Sequence, residues 1–293
     1  MNEPNSRHPL VGRQILRMNG LGNEILVLDL RDTAIRVAAA DARAIGRAHG
    51  LHFDQLMVLY DASGDAAASM KIFNIDGSLA QSCGNGTRCV GWALLRNAPA
   101  RTLKLESDGG LLDVTRDGDL SFTVDMGAPV LQWERIPLAG EGADTREIVL
   151  TPPVSGAPET FSAVGMGNPH AVFFVADAAA IDLAALGPKI EHHPLFPERV
   201  NASFAQMLSR EKILLRVWER GAGATRACGT AACATAVAAA RLGFAAREVA
   251  VTLPGGDLRI VWRDSDDHVL MTGPVEFEFE RALTSDIFAR ADA

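Results

Sequence analysis

Two cysteines stand in matching surroundings: Cys83 opens Cys83-Gly84-Asn85-Gly86-Thr87 and Cys228 opens Cys228-Gly229-Thr230-Ala231-Ala232. Each follows a polar, glycine-bearing loop and precedes a run of helical composition, so each is expected at a helix N-terminus. Unpaired backbone N–H groups there carry partial positive charge, which favours thiolate over thiol. The same amides can bind a carboxylate. Gly84 and Gly229 leave the backbone open to a ligand, and Asn85 and Thr230 set polar side chains beside it. Such a feature activates a sulfur and holds an anion next to it. Two of them acting on one carbon would remove a proton from one face and deliver another to the opposite face. Inversion of an amino-acid α-carbon without a cofactor needs that arrangement, with one thiolate and one thiol titrating as a pair.

The surroundings repeat as well. Cys228 lies 145 positions after Cys83, and at the same spacing Gly20, Gly22 and Asn23 fall over Gly165, Gly167 and Asn168. Met126, Pro129 and Val130 fall over Met271, Pro274 and Val275, and Lys71-Ile72-Phe73-Asn74 over Arg216-Val217-Trp218-Glu219. Four aligned segments at one spacing indicate an internal duplication. Apolar alternation predicts strands at 25–30, 56–60, 70–74, 102–107, 120–126, 171–175, 213–219, 248–253, 258–262 and 268–273. Short helices are expected at 41–49 and at 178–186, the latter ending at Gly187-Pro188. The runs after Cys83 and Cys228 read as one apolar helix per half. The expected fold is therefore α/β (α+β): two pseudo-symmetric domains from internal duplication, each a mostly antiparallel sheet wrapped around a central helix. The expected boundaries are 1–130 and 131–275, with the tail 276–293 outside the repeat.

Composition narrows the function. The 293 residues carry a formal net charge of -8, which disfavours nucleic acid and anionic membrane surfaces as partners. The N-terminal residues lack the apolar core of a signal peptide, and no uninterrupted apolar run reaches membrane-spanning length, so a cytoplasmic location is expected. Four cysteines are too few for a disulfide scaffold. The spacings from Cys83 to Cys89 and from Cys228 to Cys233 do not resemble paired zinc knuckles, so no metal site is expected. Cys89 and Cys233, inside their helices, read as core residues. His192-His193-Pro194 reads as a surface loop. Lys71, Lys104, Lys189 and Lys212 lack the context of a Schiff-base lysine, and no dinucleotide or P-loop fingerprint is present.

The segments Phe73-Asn74-Ile75-Asp76-Gly77-Ser78 with Cys83-Gly84-Asn85-Gly86-Thr87-Arg88-Cys89, and Trp218-Glu219-Arg220-Gly221-Ala222-Gly223 with Ala227-Cys228-Gly229-Thr230, resemble the two active-site motifs of diaminopimelate epimerases. Gly20-Leu21-Gly22-Asn23, Gly167-Asn168-Pro169-His170, Val200-Asn201 and Met271-Thr272-Gly273-Pro274 resemble further family motifs in the family's order. The resemblance implies conversion of LL-2,6-diaminopimelate to the meso form, in lysine and peptidoglycan precursor synthesis, without pyridoxal phosphate or metal. It also implies a homodimer and a return of the 276–293 tail to the first domain. By position Cys83 and Cys228 match the acid/base pair, and His170 and Glu219 the groups that tune it. Gly84, Asn85, Gly229 and Thr230 match the holders of the reacting α-carboxylate. Asn23, Gln55, Asn74, Asn168, Asn201, Glu219 and Arg220 match the other substrate contacts. Arg220 suits the distal carboxylate, which it can bond bidentately.

The chain departs from the family pattern in places. Glu24 stands where Asp is usual, Gly50-Leu51-His52-Phe53-Asp54-Gln55 replaces Gly-x-Gly-Ala-Asp-Gln, and Ala202-Ser203-Phe204 follows Asn201 in place of Val-Glu-Phe. The loop presenting Gln55 is the place where a difference is expected. A rival reading is a proline, hydroxyproline or histidine epimerase of the same superfamily; the proline type usually has His where Asn85 stands. A rival from another class is a thiol redox or binding protein.

Overall fold

The computed structural model describes residues 8–80, 82–139 and 144–289. Contacts divide the chain into two compact units, one running to Phe122 and resuming at Pro274, the other spanning Thr123–Gly273.

In the first unit Gln14–Gly20 turns back antiparallel on Asn23–Asp29, which runs parallel to Gln55–Tyr60. The sheet continues antiparallel to Ala68–Asn74, parallel to Thr102–Ser107 and antiparallel to Gly110–Arg116. The second unit repeats that order of senses. Thr160–Gly165 is antiparallel to Pro169–Phe174, which is parallel to Asn201–Ser209. Then come Lys212–Glu219 (antiparallel), Glu248–Leu253 (parallel), Gly256–Trp262 (antiparallel) and Val269–Pro274 (antiparallel). The duplication read from the residues is thus a duplication of topology, and the fold is mixed α/β with few helices. Glu276–Ala282 adds an antiparallel edge to Gln14–Gly20, and Leu283 and Phe288 join the first unit's core beside Leu28, Ile45 and Phe53.

Helix α1 (Ala39–Arg47) begins a little before its expected start, and Asp41 accepts the backbone N–H of Ala38 at 2.8 Å. Helix α2 (Gly84–Leu95) starts directly after Cys83 and packs on the strands 14–20, 23–29, 55–60 and 110–116. Its Gly91 permits close approach, since a Cβ there would sit 2.6 Å from Val114 Cγ1.

In the second unit helix α3 spans Leu183–Glu191, not the expected 178–186. The Asp182 side chain accepts the Ala185 N–H at 3.0 Å and so caps the start. Gly187-Pro188, read as a stop, lies inside the helix. Gly187 is instead a packing residue, because a Cβ there would meet the Trp218 indole at 2.2 Å. His193 is likewise not on a surface loop. It is buried, bonds the Pro152 carbonyl through Nε2 at 2.8 Å and lies against Phe196. Apolar alternation alone does not predict the strands Gln14–Gly20, Gly110–Arg116, Thr160–Gly165, Asn201–Ser209 and Glu276–Ala282.

Helix α4 (Gly229–Arg241) is buried at every residue from Gly229 to Ala239. A helix buried all round must be small to let strands approach, which explains its run of Ala. It packs against the strands 160–165, 169–174, 201–209, 248–253 and 256–262. No helix among the described residues is long and apolar enough to cross a membrane.

Gly187→Ala tests the α3 packing. Alanine adds about 1 kcal/mol of helix propensity over glycine. The methyl would overlap an indole already fixed by a hydrogen bond, and such overpacking costs about 1–3 kcal/mol or more. The clash is expected to win, lowering the urea midpoint of unfolding; an unchanged or raised midpoint would contradict this packing.

Candidate active site

Cys83 is the N-cap of α2, in extended backbone conformation (φ -150°, ψ 95°). Its Sγ accepts the Gly86 N–H at 3.2 Å and lies 3.5 Å from Gln55 Oε1 and 3.8 Å from Asn23 Oδ1. The Thr87 N–H and Oγ1 both donate to the Cys83 carbonyl and lock the first turn. Neutral amides suit a sulfur that alternates between thiol and thiolate: the amide oxygen accepts S–H and the amide nitrogen donates to S⁻.

The Asn23 amide is held in turn. Asn23 Nδ2 donates to Asp54 Oδ2 at 3.0 Å, which leaves its oxygen toward the sulfur; Asp54 also accepts the Glu24 N–H at 2.8 Å. Gln55 is register partner to Asn74, and Asn74 Nδ2 donates to Ser78 Oγ at 3.0 Å. Ser78 itself closes on Asp76 through backbone and side chain, and these bonds hold the Asp76 carboxyl below its ordinary value. Asn85 is buried and its Oδ1 accepts from Arg88 Nη2 at 3.0 Å, Arg88 being fully buried one turn along.

The departing loop also has a structural account. Glu24 reaches both Arg17 Nη2 at 2.7 Å and His52 Nδ1 at 3.1 Å, and Arg17 donates to the His52 carbonyl. Leu51 and Phe53 are buried in the first unit's core, so the substituted positions anchor the loop that leads to Gln55.

Cys228 is the N-cap of α4, again extended (φ -128°, ψ 109°), with only 5% exposure. Its Sγ lies 3.5 Å from Thr230 Oγ1. Here the helix N-terminus does not dominate as the residue pattern suggested. Burial first, and the Glu219 carboxylate second, push the Cys228 thiol well above its ordinary value. Desolvation penalises the thiolate, a neighbouring anion penalises it again, and the N-terminal amides do not compensate. Glu219 ends the strand 212–219 and accepts a hydrogen bond from Thr225 Oγ1.

Around this centre His170 Nε2 bonds Asn168 Oδ1 at 2.8 Å, and His170 and Asn201 are register partners on adjacent parallel strands. Asn201 Nδ2 donates to the Pro169 carbonyl at 2.9 Å, while its Oδ1 accepts the Arg220 N–H at 3.0 Å. Arg220 Nη1 donates to the Glu198 carbonyl at 3.0 Å. Burial, with the Arg220 guanidinium adding to it, pushes the His170 imidazole down to about 3, so the ring is neutral at physiological pH. Beside Asn168 the ring therefore offers shape and hydrogen bonding rather than charge.

The remaining cysteines are apart from this chemistry. Cys89 and Cys233 are fully buried inside α2 and α4, and burial pushes the Cys89 thiol up to about 12. All four cysteines are thiols rather than disulfides. Residue pattern alone did not mark Asp54 or Arg88, which bond the Asn23 and Asn85 side chains. Asp54 directly precedes Gln55 and Arg88 lies one turn into α2, which are the signals that could have found them.

The repeated topology defines a fold class. It is the fold of a hydroxyproline epimerase from Agrobacterium vitis (TM-score 0.67, 15% identity, covering 97% of this chain and 99% of that one). A phenazine biosynthesis protein of the PhzF family from Bacillus anthracis shares it too (TM-score 0.63, 12% identity, 92% and 98% covered). Within that class the chain belongs to the diaminopimelate epimerase family, whose family model matches residues 15–132 and 162–278. The diaminopimelate epimerase of Methylocella silvestris is 53% identical over 289 residues, covering 98% of this chain and all of the relative. That of Methylorubrum populi is 55% identical over 297 aligned positions, covering 97% and 99%.

Proposed function

We propose that this chain interconverts LL- and meso-2,6-diaminopimelate without a cofactor, with Cys83 and Cys228 as the acid/base pair. The observation that carries the reading is the mirrored placement of one cysteine as N-cap of the central helix in each half of a duplicated fold, within a family match that spans both halves. One sulfur, as thiolate, takes the proton from the α-carbon. The other, as thiol, gives its proton to the opposite face, and the two sulfurs exchange protonation states. Cys228, held protonated by burial and Glu219, starts as the thiol. Carbanion charge flows into the α-carboxylate. The N–H groups of Gly84-Asn85 and Gly229-Thr230 stabilise it there, oriented in advance by their helices.

The other contacts follow from the substrate's two zwitterionic ends. Arg220 takes the distal carboxylate. Asn74, Asn168 and Asn201 orient the molecule with neutral amides. Glu219 faces the distal ammonium and sets the proton affinity of Cys228. His170 holds Asn168, and Asn23 and Gln55 serve the Cys83 sulfur. The enzyme acts in the cytoplasm, as suits a biosynthetic role, and as a homodimer; the dimer is supported by the family resemblance alone and is checked by sedimentation. The functional test supplies LL-diaminopimelate and L-proline separately in deuterated water. Label is expected at the α-carbon of diaminopimelate and not of proline; label in proline alone would assign the chain to the rival substrate class.

A further inference from the structure

Glu191 ends helix α3 with its side chain 5% exposed, and it lies outside every segment that the motifs single out. A buried carboxylate is costly unless its oxygens are satisfied. Here both are. Oε2 accepts the Trp218 indole N–H at 2.7 Å and Oε1 accepts the Gly221 backbone N–H at 2.9 Å. The only cation at Glu191 among the described ion pairs is Arg199, at 3.8 Å and itself half exposed. The two accepted bonds bracket Glu219 and Arg220 in the chain. One turn earlier on the same helix face, Gly187 lets the indole lie directly against the backbone. The turn that follows needs Gly221 at φ +76°, a conformation glycine adopts without strain.

We propose that Glu191 is the positioning residue for the Glu219–Arg220 pair: its two oxygens clamp the residues on either side and thereby set how the pair meets Cys228 and the substrate. The inference rests on the reading of Glu219 and Arg220 given above. It accounts for a carboxylate rather than an amide at this position. The clamp needs two acceptors, and glutamine offers one acceptor and one donor, which would face an N–H. Aspartate keeps the charge and both acceptors but falls one methylene short of spanning them.

The test uses Glu191→Gln and Glu191→Asp in the full chain. Cysteine titration is followed by ¹³Cβ-cysteine NMR, and kinetics are measured with LL-diaminopimelate. Both variants are expected to lower the Cys228 titration midpoint, because Glu219 leaves its place, while Cys83 in the other unit keeps its own. Misplacement of this kind costs about 10–100-fold in kcat/KM, and the larger part is expected in KM through Arg220. A shift in Glu191→Gln with none in Glu191→Asp would mean that only the charge of Glu191 is felt, and would overturn the clamp. Wild-type titration of Cys228 in both variants would overturn it as well. Should Glu191→Gln fail to fold, Glu191→Asp alone decides between these outcomes. If the wild type does not epimerise diaminopimelate, the functional reading fails while the titration still decides the role of Glu191.

Discussion

Replacing Cys83 or Cys228 with alanine is expected to abolish epimerisation from either isomer while leaving the fold intact. General acid–base groups supply about 10²–10⁴-fold each, and a two-base inversion stops when either is missing. Loss should therefore be similar for the two variants, not graded by exposure, although Cys83 is half-buried and Cys228 almost fully enclosed. Cys89→Ala is the control. That thiol is buried and pushed up to about 12, so its removal should cost some stability and little rate. Circular dichroism and urea unfolding would confirm that the cysteine variants are folded. A variant lacking one of the two site cysteines that still epimerises at wild-type rate would remove that sulfur from the mechanism.

The second large effect concerns His170 and acid stability. In the unfolded chain an imidazole titrates near 6.5; in the folded chain burial pushes it down to about 3. A depressed folded value means that the unfolded state binds more protons between those limits. The stabilisation is complete above the unfolded value and is lost as pH falls toward the folded one. The shift corresponds to stability on the order of 5 kcal/mol lost over that window. The free energy of unfolding should therefore drop steeply from pH 6.5 toward 4, and His170→Gln should flatten that slope. Equal slopes in the two proteins would mean that the ring is not buried neutral. Asp144 and Asp266 are also held low, to about 2, but they are exposed and lose their contribution only below their ordinary value of 3.8, under the steep part of this fall.

The parts of the molecule that were legible in the residues are those with local or repeating signals. The starts of α2 and α4 follow from a cysteine N-cap before glycine and an apolar run, and the duplication follows from matched segments at one spacing. The misplacement of α3 has a physical cause. Gly187-Pro188 punctuates most helices, yet here Pro188 is tolerated within a nine-residue helix and Gly187 is required by an indole from a strand 31 positions on. Glu191 and Asp54 were silent for a related reason. Their partners, Trp218 with Gly221 and Asn23 with Glu24, lie some thirty residues away, and no periodicity reports such a contact. The direction of the Cys228 shift was also hidden. The helix N-terminus is visible in the chain, whereas the depth of burial and the placement of Glu219 arise only on folding.

In the proposed mechanism two different sulfurs serve the two faces of one carbon. Its most direct test is a brief reaction, far from equilibrium, started from pure LL- and from pure meso-diaminopimelate in deuterated water. A two-base enzyme hands each new molecule a solvent-derived deuteron from the sulfur opposite the one that took the proton. The product should carry deuterium at the inverted carbon from either direction, while recovered substrate stays protiated. Deuterium accumulating in recovered substrate as fast as in product, from both directions, would show a single exchanging base and contradict the account.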